Sequence, residues 1–206
     1  MQTFIQKYGF ENYVVNDIVH DTTKIIFILE SPHVYEVKNG YPVAGKSGKD
    51  MSKVLFNNST FQEQPFGKLI YEKRVVDFGI VNISNIPLQE LAYAPLTENM
   101  QTPFHKNLFK NFSLFRQNPL LRKKASSLND MIEIFYKDFT ARLKPYQDKK
   151  IVLCGAFAQK VFYANFHKEH FLDLIEVPHP SFNNWQKEKY KKDIESLKEF
   201  VKVESV

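Results

Sequence analysis

A carboxylate, a hydroxyl and an imidazole follow one short apolar stretch of the sequence. Residues Ile25–Leu29 form an unbroken apolar run rich in β-branched side chains, which is typical of a strand buried on both faces of a parallel sheet. Glu30, Ser31 and His33 come directly behind it. Because ligands of open α/β sheets bind beyond the carboxyl ends of the strands, these side chains are the first candidates for a functional site.

Two later segments also place polar side chains at the ends of predicted strands. Asn82 lies near the end of the apolar run Val75–Ile83, and His179 follows the run Leu174–Val177. The side-chain amide of asparagine presents a donor and an acceptor side by side. A histidine between two prolines at the end of a strand has few structural reasons to be there, so His179 is a candidate for a chemical role.

The patterns along the rest of the chain predict alternating strands and helices. The predicted strands are 25–29, 75–83, 151–154 and 174–177, and the predicted helices are about 49–57, 104–115, 126–144, 155–166 and 185–203. This alternation favours an α/β fold, a three-layer α/β/α sandwich with a short, mostly parallel, four-stranded sheet. A length of 206 residues suits one well-buried core, so we expect residues 1–206 to form a single domain.

Composition narrows the classes of function and the compartment. The formal net charge of +5 gives mild support for a polyanionic partner such as nucleic acid, although the basic clusters at 122–124 and 187–192 are typical of solvated helix faces. The apolar runs are far shorter than the roughly 18 residues of a membrane helix, and the first residues lack the apolar core of a signal peptide. We therefore expect a cytoplasmic protein with no membrane association. The single cysteine, Cys154, excludes an internal disulfide and a four-cysteine zinc or iron–sulfur site within one chain.

The segment Gly40–Ser47 matches the phosphate-loop pattern G-x-x-x-x-G-K-[ST], which would hold a nucleoside triphosphate. Its context is unfavourable, because about ten residues separate Leu29 from Gly40 and because Pro42 removes one of the backbone amides that the loop supplies. Asn39 and Gly40 could equally form a hairpin turn. Because the pattern match is complete but its context is unfavourable, a P-loop nucleotide hydrolase is kept only as the third hypothesis for the function.

Four motifs in the right order make the sequence resemble the uracil-DNA glycosylase superfamily over roughly residues 24–200. They are Leu29-Glu30-Ser31-Pro32-His33, Gly40-Tyr41-Pro42-Val43-Ala44-Gly45-Lys46-Ser47-Gly48, Val81-Asn82-Ile83-Ser84-Asn85 and His179-Pro180-Ser181. These are similar, respectively, to the family motif G-[QE]-x-P-x, the loop G-x-P-F-x-G-x-x-G, the strand that ends in a base-reading asparagine, and the H-P-S loop. The resemblance implies a DNA glycosylase that hydrolyses the N-glycosidic bond of uracil or a related damaged base without a metal or other cofactor. Its partner would be single- or double-stranded DNA, and we expect a monomer.

The resemblance also implies a role for each candidate residue. Such an enzyme extrudes the nucleotide and reads its edge, and the amide of Asn82 would match the O4 and N3–H edge of uracil. His179 would donate to the oxygen of the departing base, an interaction worth about 2.7–4 kcal/mol by analogy with oxyanion holes. Glu30 would stabilise the sugar cation and orient the water. Structural roles stay open, since Glu30 could pair with a lysine of the following helix and Asn82 could cap a turn.

Further positions are expected to contact DNA or the base. Phe182 is the candidate wedge for the gap left by the flipped nucleotide, with Trp185 as a substitute. The remaining candidates for DNA contacts are Pro32, Lys46, Ser47, Ser181 and Lys187. The candidates for contacts to the base are Ser31, Tyr41 and Val43.

The sequence departs from the family pattern at positions that matter for activity. Val43 stands where the family has a phenylalanine that stacks on the base, so Tyr41 or Tyr35 would have to supply the ring. Ser31 stands where the well-known uracil excisers have a water-activating aspartate, and Leu29 replaces the first glycine. The fold therefore carries over more safely than the substrate. A non-catalytic relative that binds nucleic acid through the same surface is the alternative function.

Overall fold

The computed structural model describes residues 1–94, 100–122 and 126–202. The strands are β1 (Ile25–Leu29), β2 (Phe78–Asn82), β3 (Lys150–Cys154) and β4 (Asp173–Val177). The helices are α1 (Gln2–Tyr8), α2 (Val34–Asn39), α3 (Lys46–Leu55), α4 (Ser59–Gln62), α5 (Phe66–Tyr71), α6 (Pro103–Gln117), α7 (Ser127–Leu143), α8 (Ala156–Asn165) and α9 (Lys191–Phe200). No helix within the described ranges is long and apolar enough to cross a membrane.

The four strands form one sheet in the order β2-β1-β3-β4, and every pair is parallel. The register sets Leu29 opposite Asn82 and Cys154 opposite Val177, so these strands end level with one another. All residues of β1 and β2 are buried, as their continuous apolar runs predict. The predicted parallel four-stranded sheet is confirmed.

Successive residues of β1 point to opposite faces of the sheet and enter two separate cores. Ile26 and Ile28 pack with apolar residues of α1, α6, α7 and α8 on one face. Phe27 and Leu29 pack with apolar residues of α3, α5 and α9 on the other. Helices thus cover both faces, which confirms the predicted three-layer α/β/α architecture.

Several element boundaries differ from the sequence-based prediction. The helix predicted from residue 49 begins at Lys46, because Gly45 is its N-cap and its first turn is polar and carries no apolar periodicity. Asn39 and Gly40 do not form a hairpin turn, since Gly40 ends α2 in the left-handed conformation with φ 75°.

The chain behind β4 also departs from the prediction. Residues 181–190 form short 3₁₀ turns, so the last helix begins at Lys191 and not at Trp185. Of the predicted basic cluster at 122–124, Lys123 and Lys124 lie outside the described residues. The lysines at 187, 189, 191 and 192 are exposed, as expected for a solvated surface.

The segment between α2 and α3, residues 40–45, packs directly on a glycine of α5. A Cβ placed on Gly67 would lie 1.7 Å from the carbonyl oxygen of Pro42. Backbone against backbone leaves no flexible side chain to move aside, so only glycine permits this approach. The segment is therefore held in place by the first turn of α5.

We predict that Gly67→Ala lowers the free energy of unfolding by about 3 kcal/mol or more, because the Pro42 carbonyl must be displaced. Gly9→Ala serves as the control, since a Cβ there meets open space and adds only the strain of a positive φ, about 1 kcal/mol. Urea denaturation of both variants checks this. Equal losses would show that the packing of residues 40–45 on α5 is not tight.

Candidate functional site

Three strands end in, or are followed by, polar side chains at the carboxyl edge of the sheet. Glu30 follows β1, Asn82 is the last residue of β2, and His179 lies two residues beyond β4. Because the strands are parallel, these ends lie on one edge, where ligands of open α/β sheets bind. The structure thus brings the three residues expected to do chemistry to the same side of the molecule.

The imidazole of His179 is half-buried, and its backbone neighbours define which ring nitrogen carries the proton. The backbone N–H of Ser181 donates to Nδ1 of His179 over 3.2 Å. Since a backbone N–H can only donate, Nδ1 is unprotonated and the neutral ring carries its proton on Nε2. Burial lowers the pKa of His179, the charge of Arg116 lowers it further, and the charge of Glu30 opposes both. His179 is therefore a neutral hydrogen-bond donor at pH 7.

The position of His179 depends on a glycine just past the end of the neighbouring strand. Gly155 follows β3 with φ 89°, and a Cβ there would lie 2.8 Å from Cβ of His179. Its N–H donates to the carbonyl of Val177 over 2.8 Å, which ties the two strand ends together. Sequence analysis missed this role, and the glycine directly behind a predicted strand was the signal that could have revealed it.

The side chain of Asn82 is 2% exposed, and its Nδ2 has no hydrogen-bond partner among the described residues. A buried donor without a partner costs about 1–3 kcal/mol and is rare in folded proteins. Nδ2 is therefore a donor that a ligand could use, whereas a turn cap, the alternative left open above, would use the side-chain oxygen.

The backbone of Asn82 is fixed by a half-buried charge network that sequence analysis missed. Its N–H donates to Oδ1 of Asp17 over 3.1 Å, and its carbonyl accepts from Nη1 of Arg142 over 3.0 Å. Arg142 also bonds Oδ2 of Asp17 at 2.5 Å and Oδ2 of Asp138 at 2.7 Å. Burial raises the pKa of Asp17, and the guanidinium opposes that shift. The end of β2 is therefore held on both sides of Asn82.

Glu30 forms an ion pair that the sequence did not indicate. Nε of Arg116, near the end of α6, lies 2.5 Å from Oε1 of Glu30. The side chains are 17% exposed for Glu30 and 34% exposed for Arg116. The partner of the carboxylate is therefore an arginine of α6. The pairing with a lysine of α3, which was left open above as a structural role for Glu30, is not observed.

Residues 40–45 are anchored by the half-buried carboxylate of Glu36. The N–H of Val43 donates to Oε1 and the N–H of His33 donates to Oε2, both over 2.6 Å. Val43 is buried and has φ 55°, a strained conformation for a β-branched residue that costs on the order of 1–3 kcal/mol. This placement argues against a phosphate loop, because α2 separates the segment from β1 and a carboxylate occupies the Val43 amide.

The two tyrosines considered for the missing base-stacking ring lie in different surroundings. The ring of Tyr41 stacks on Tyr71 of α5 at 5.1 Å, so it is already engaged on the outer side of the segment. Tyr35 is 63% exposed, and its side chain lies 3.6 Å from where a Cβ on Gly45 would be. Tyr35 is thus the more exposed of the two rings, and a role in stacking on the base stays a prediction for both.

The loop behind β4 presents one aromatic ring and buries the other. Phe182 is 87% exposed with φ 59°, and Asn183 beside it has φ 54°, so the loop tip holds the ring outward at a cost in strain. Trp185 is 3% exposed, and its Nε1 donates to the carbonyl of Pro178 over 2.7 Å. The expectation that Trp185 could replace Phe182 as a wedge is therefore wrong. Pro32 is also buried, which removes it from the expected DNA contacts.

The remaining expected DNA contacts lie at the surface where α3 meets this loop. Oγ of Ser47 and Oγ of Ser181 are 3.2 Å apart. Lys46 is exposed in the first turn of α3, and Lys187 is exposed with its Nζ donating to Oδ1 of Asn184 over 2.7 Å. Ser31, a candidate for contact with the base, directly follows Glu30 behind β1, and its Oγ accepts from the N–H of Leu88 over 3.4 Å.

The parallel sheet, its helix layers and its polar carboxyl edge define a three-layer α/β/α protein. The sequence model of the Uracil DNA glycosylase superfamily matches residues 17–203, so the chain belongs to that superfamily. The resemblance stated from the four motifs is confirmed at the level of the family. No curated protein matches the chain.

Glu36 should make stability depend on pH. Burial raises its pKa from the ordinary 4.5 to about 7, against the two N–H donors that lower it. The folded state then binds this proton more tightly than the unfolded state, so the contribution of Glu36 is complete below about pH 4.5 and is lost as the pH rises to about 7. We expect Glu36→Gln to flatten this decline, by at most about 3 kcal/mol.

Urea denaturation between pH 4.5 and 8 measures the decline in wild type and variant. Glu63→Gln is the matched control, because Glu63 is exposed at the end of α4. Parallel curves for wild type and Glu36→Gln would contradict the assignment.

Proposed function

We propose that this protein is a DNA glycosylase that hydrolyses the N-glycosidic bond of uracil or a related damaged base. The observation that carries the proposal is the buried amide of Asn82, whose Nδ2 has no partner among the described residues, at the same sheet edge as the neutral donor His179. The first group would read the edge of an extruded base, and the second would act on its leaving oxygen. Membership of the superfamily supports this class of reaction.

The chemistry assigns one task to each side chain. As the bond between C1′ and the base nitrogen breaks, its electron pair leaves with the base and the sugar becomes cation-like. Nε2–H of His179 donates to the oxygen on which the negative charge develops. The Glu30 carboxylate stabilises the sugar cation and orients the water whose oxygen bonds C1′. The proton that this water loses balances the one that the base anion gains, so the products are the free base and an abasic sugar.

The surface around this edge suits a DNA strand. Phe182 would fill the gap left by the flipped nucleotide, as apolar wedges do in other groove binders. Ser47, Ser181 and the exposed Lys46 would hold phosphates on the strand that carries the base. Tyr35 would stack on the base where the family uses a phenylalanine.

A non-catalytic nucleic-acid-binding relative is the second candidate. Two observations favour it, since Glu30 is already paired with Arg116 and Ser31 replaces a water-activating aspartate. Such a protein would bind the same DNA without releasing a base. A P-loop hydrolase would instead show magnesium-dependent ATP hydrolysis that Lys46→Ala removes.

The wild type should release free base from a uracil-containing oligonucleotide, and His179→Ala should lower the single-turnover rate about 10²–10³-fold, by analogy with the loss of one oxyanion donor. Asn82→Ala should lower it as well, because the base edge is no longer held. The control is His167→Ala, since His167 is exposed behind α8. DNA binding without release, across a panel of damaged bases, would favour the binding protein.

Phe182→Ala should slow base release from duplex DNA at least about tenfold while changing the rate on single strands little. A nucleotide that is flipped out of a duplex leaves a gap opposite the partner strand, and the ring fills this gap. A single strand has no partner strand, so it offers no such gap to the ring. Leu172→Ala is the control, because Leu172 is equally apolar, 66% exposed and located at the opposite end of β4. Equal slowing on both substrates would reject the wedge.

A further inference from the structure

The ion pair between Glu30 and Arg116 leaves part of each group unused. Oε1 of Glu30 takes the one side-chain bond that the described residues give this carboxylate, and Oε2 makes none. Arg116 uses Nε for that bond, and its two terminal nitrogens have no bond within the described ranges. A carboxylate held through one oxygen keeps the other for a water or a substrate.

Both members of the pair act on His179. Among the described residues, the charged groups that influence its imidazole are Glu30 at the end of β1 and Arg116 on α6. Alone, a carboxylate at this place would favour the protonated ring, because opposite charges stabilise each other. A protonated His179 would conflict with its contact to Ser181, whose N–H points at Nδ1. Burial is the largest influence that opposes protonation of the ring, and the positive charge of Arg116 adds to it by offsetting part of the effect of Glu30.

We propose that Arg116 is a positioning residue of the site, which holds Glu30 through one oxygen and offsets part of its charge beside His179, so that the carboxylate and a neutral imidazole coexist. The inference rests on the proposed function for its catalytic consequence. Its structural part, the balance of charges around His179, holds whatever the substrate is. Arg116 acts through its neighbours and needs no contact with the base.

The test compares Arg116→Gln, Glu30→Gln and the double variant. Loss of Arg116 alone leaves the Glu30 charge unopposed, so the ring of His179 should hold its proton to higher pH. If the titration of His179 moves up by about one pH unit, the rate should fall about tenfold at a pH below the titrations of both the wild type and the variant. Well above both titrations, the rate should not change. We therefore expect the acid limb of the pH–rate profile to move to higher pH in Arg116→Gln. In the double variant the limb should return toward its wild-type position, although the rate itself is lower because Glu30 is also lost.

The titration of His179 is also followed by NMR, which needs no turnover. Arg116→Lys keeps the charge and should restore the wild-type titration, and Arg74→Gln removes a cation that is exposed and lies before β2. An unchanged titration of His179 in folded Arg116→Gln would overturn the proposal. If the wild type releases no base from any substrate, the proposed function fails, while the NMR result still decides the role of Arg116.

Discussion

All four strands run in the same direction, and this parallel pairing determines where polar side chains can meet. β1 and β2 are buried at every position, so their backbone groups are used by the sheet and their side chains by the two helix layers. Reactive side chains are therefore confined to residues at or just past the strand ends. Glu30, Asn82 and His179 lie at the same edge of the sheet for this reason, although they are far apart in the sequence.

Each of these three groups is fixed by contacts from outside the sheet. Arg142 and the half-buried Asp17 hold the backbone of Asn82, the Ser181 amide sets the tautomer of His179, and Arg116 holds Glu30. Groups held in this way need little reorganisation when charge develops in a transition state, which is the main source of electrostatic catalysis. Backbone strain at the adjoining loops fits the same pattern, because strained residues persist where surrounding contacts over-determine them.

The strand ends and the family were predictable because continuous apolar runs mark buried strands and short motifs follow them. The ion pairs were not, since Arg116 and Glu30 are 86 positions apart and no periodicity links them. Trp185 misled the prediction because it lies in a polar loop, yet its indole bonds the carbonyl of Pro178 and its ring lies 6.4 Å from that of Phe27. Contacts of this kind depend on tertiary packing, which local pattern does not encode.

A crystal structure with an oligonucleotide that carries a non-hydrolysable deoxyuridine analogue tests the central claim most directly. The account predicts an extruded base whose edge bonds the amide of Asn82, whose O2 lies within hydrogen-bond distance of Nε2 of His179, and whose vacated position is filled by Phe182. A base that stays stacked in the DNA or binds elsewhere, with Nδ2 of Asn82 still without a partner, would contradict it.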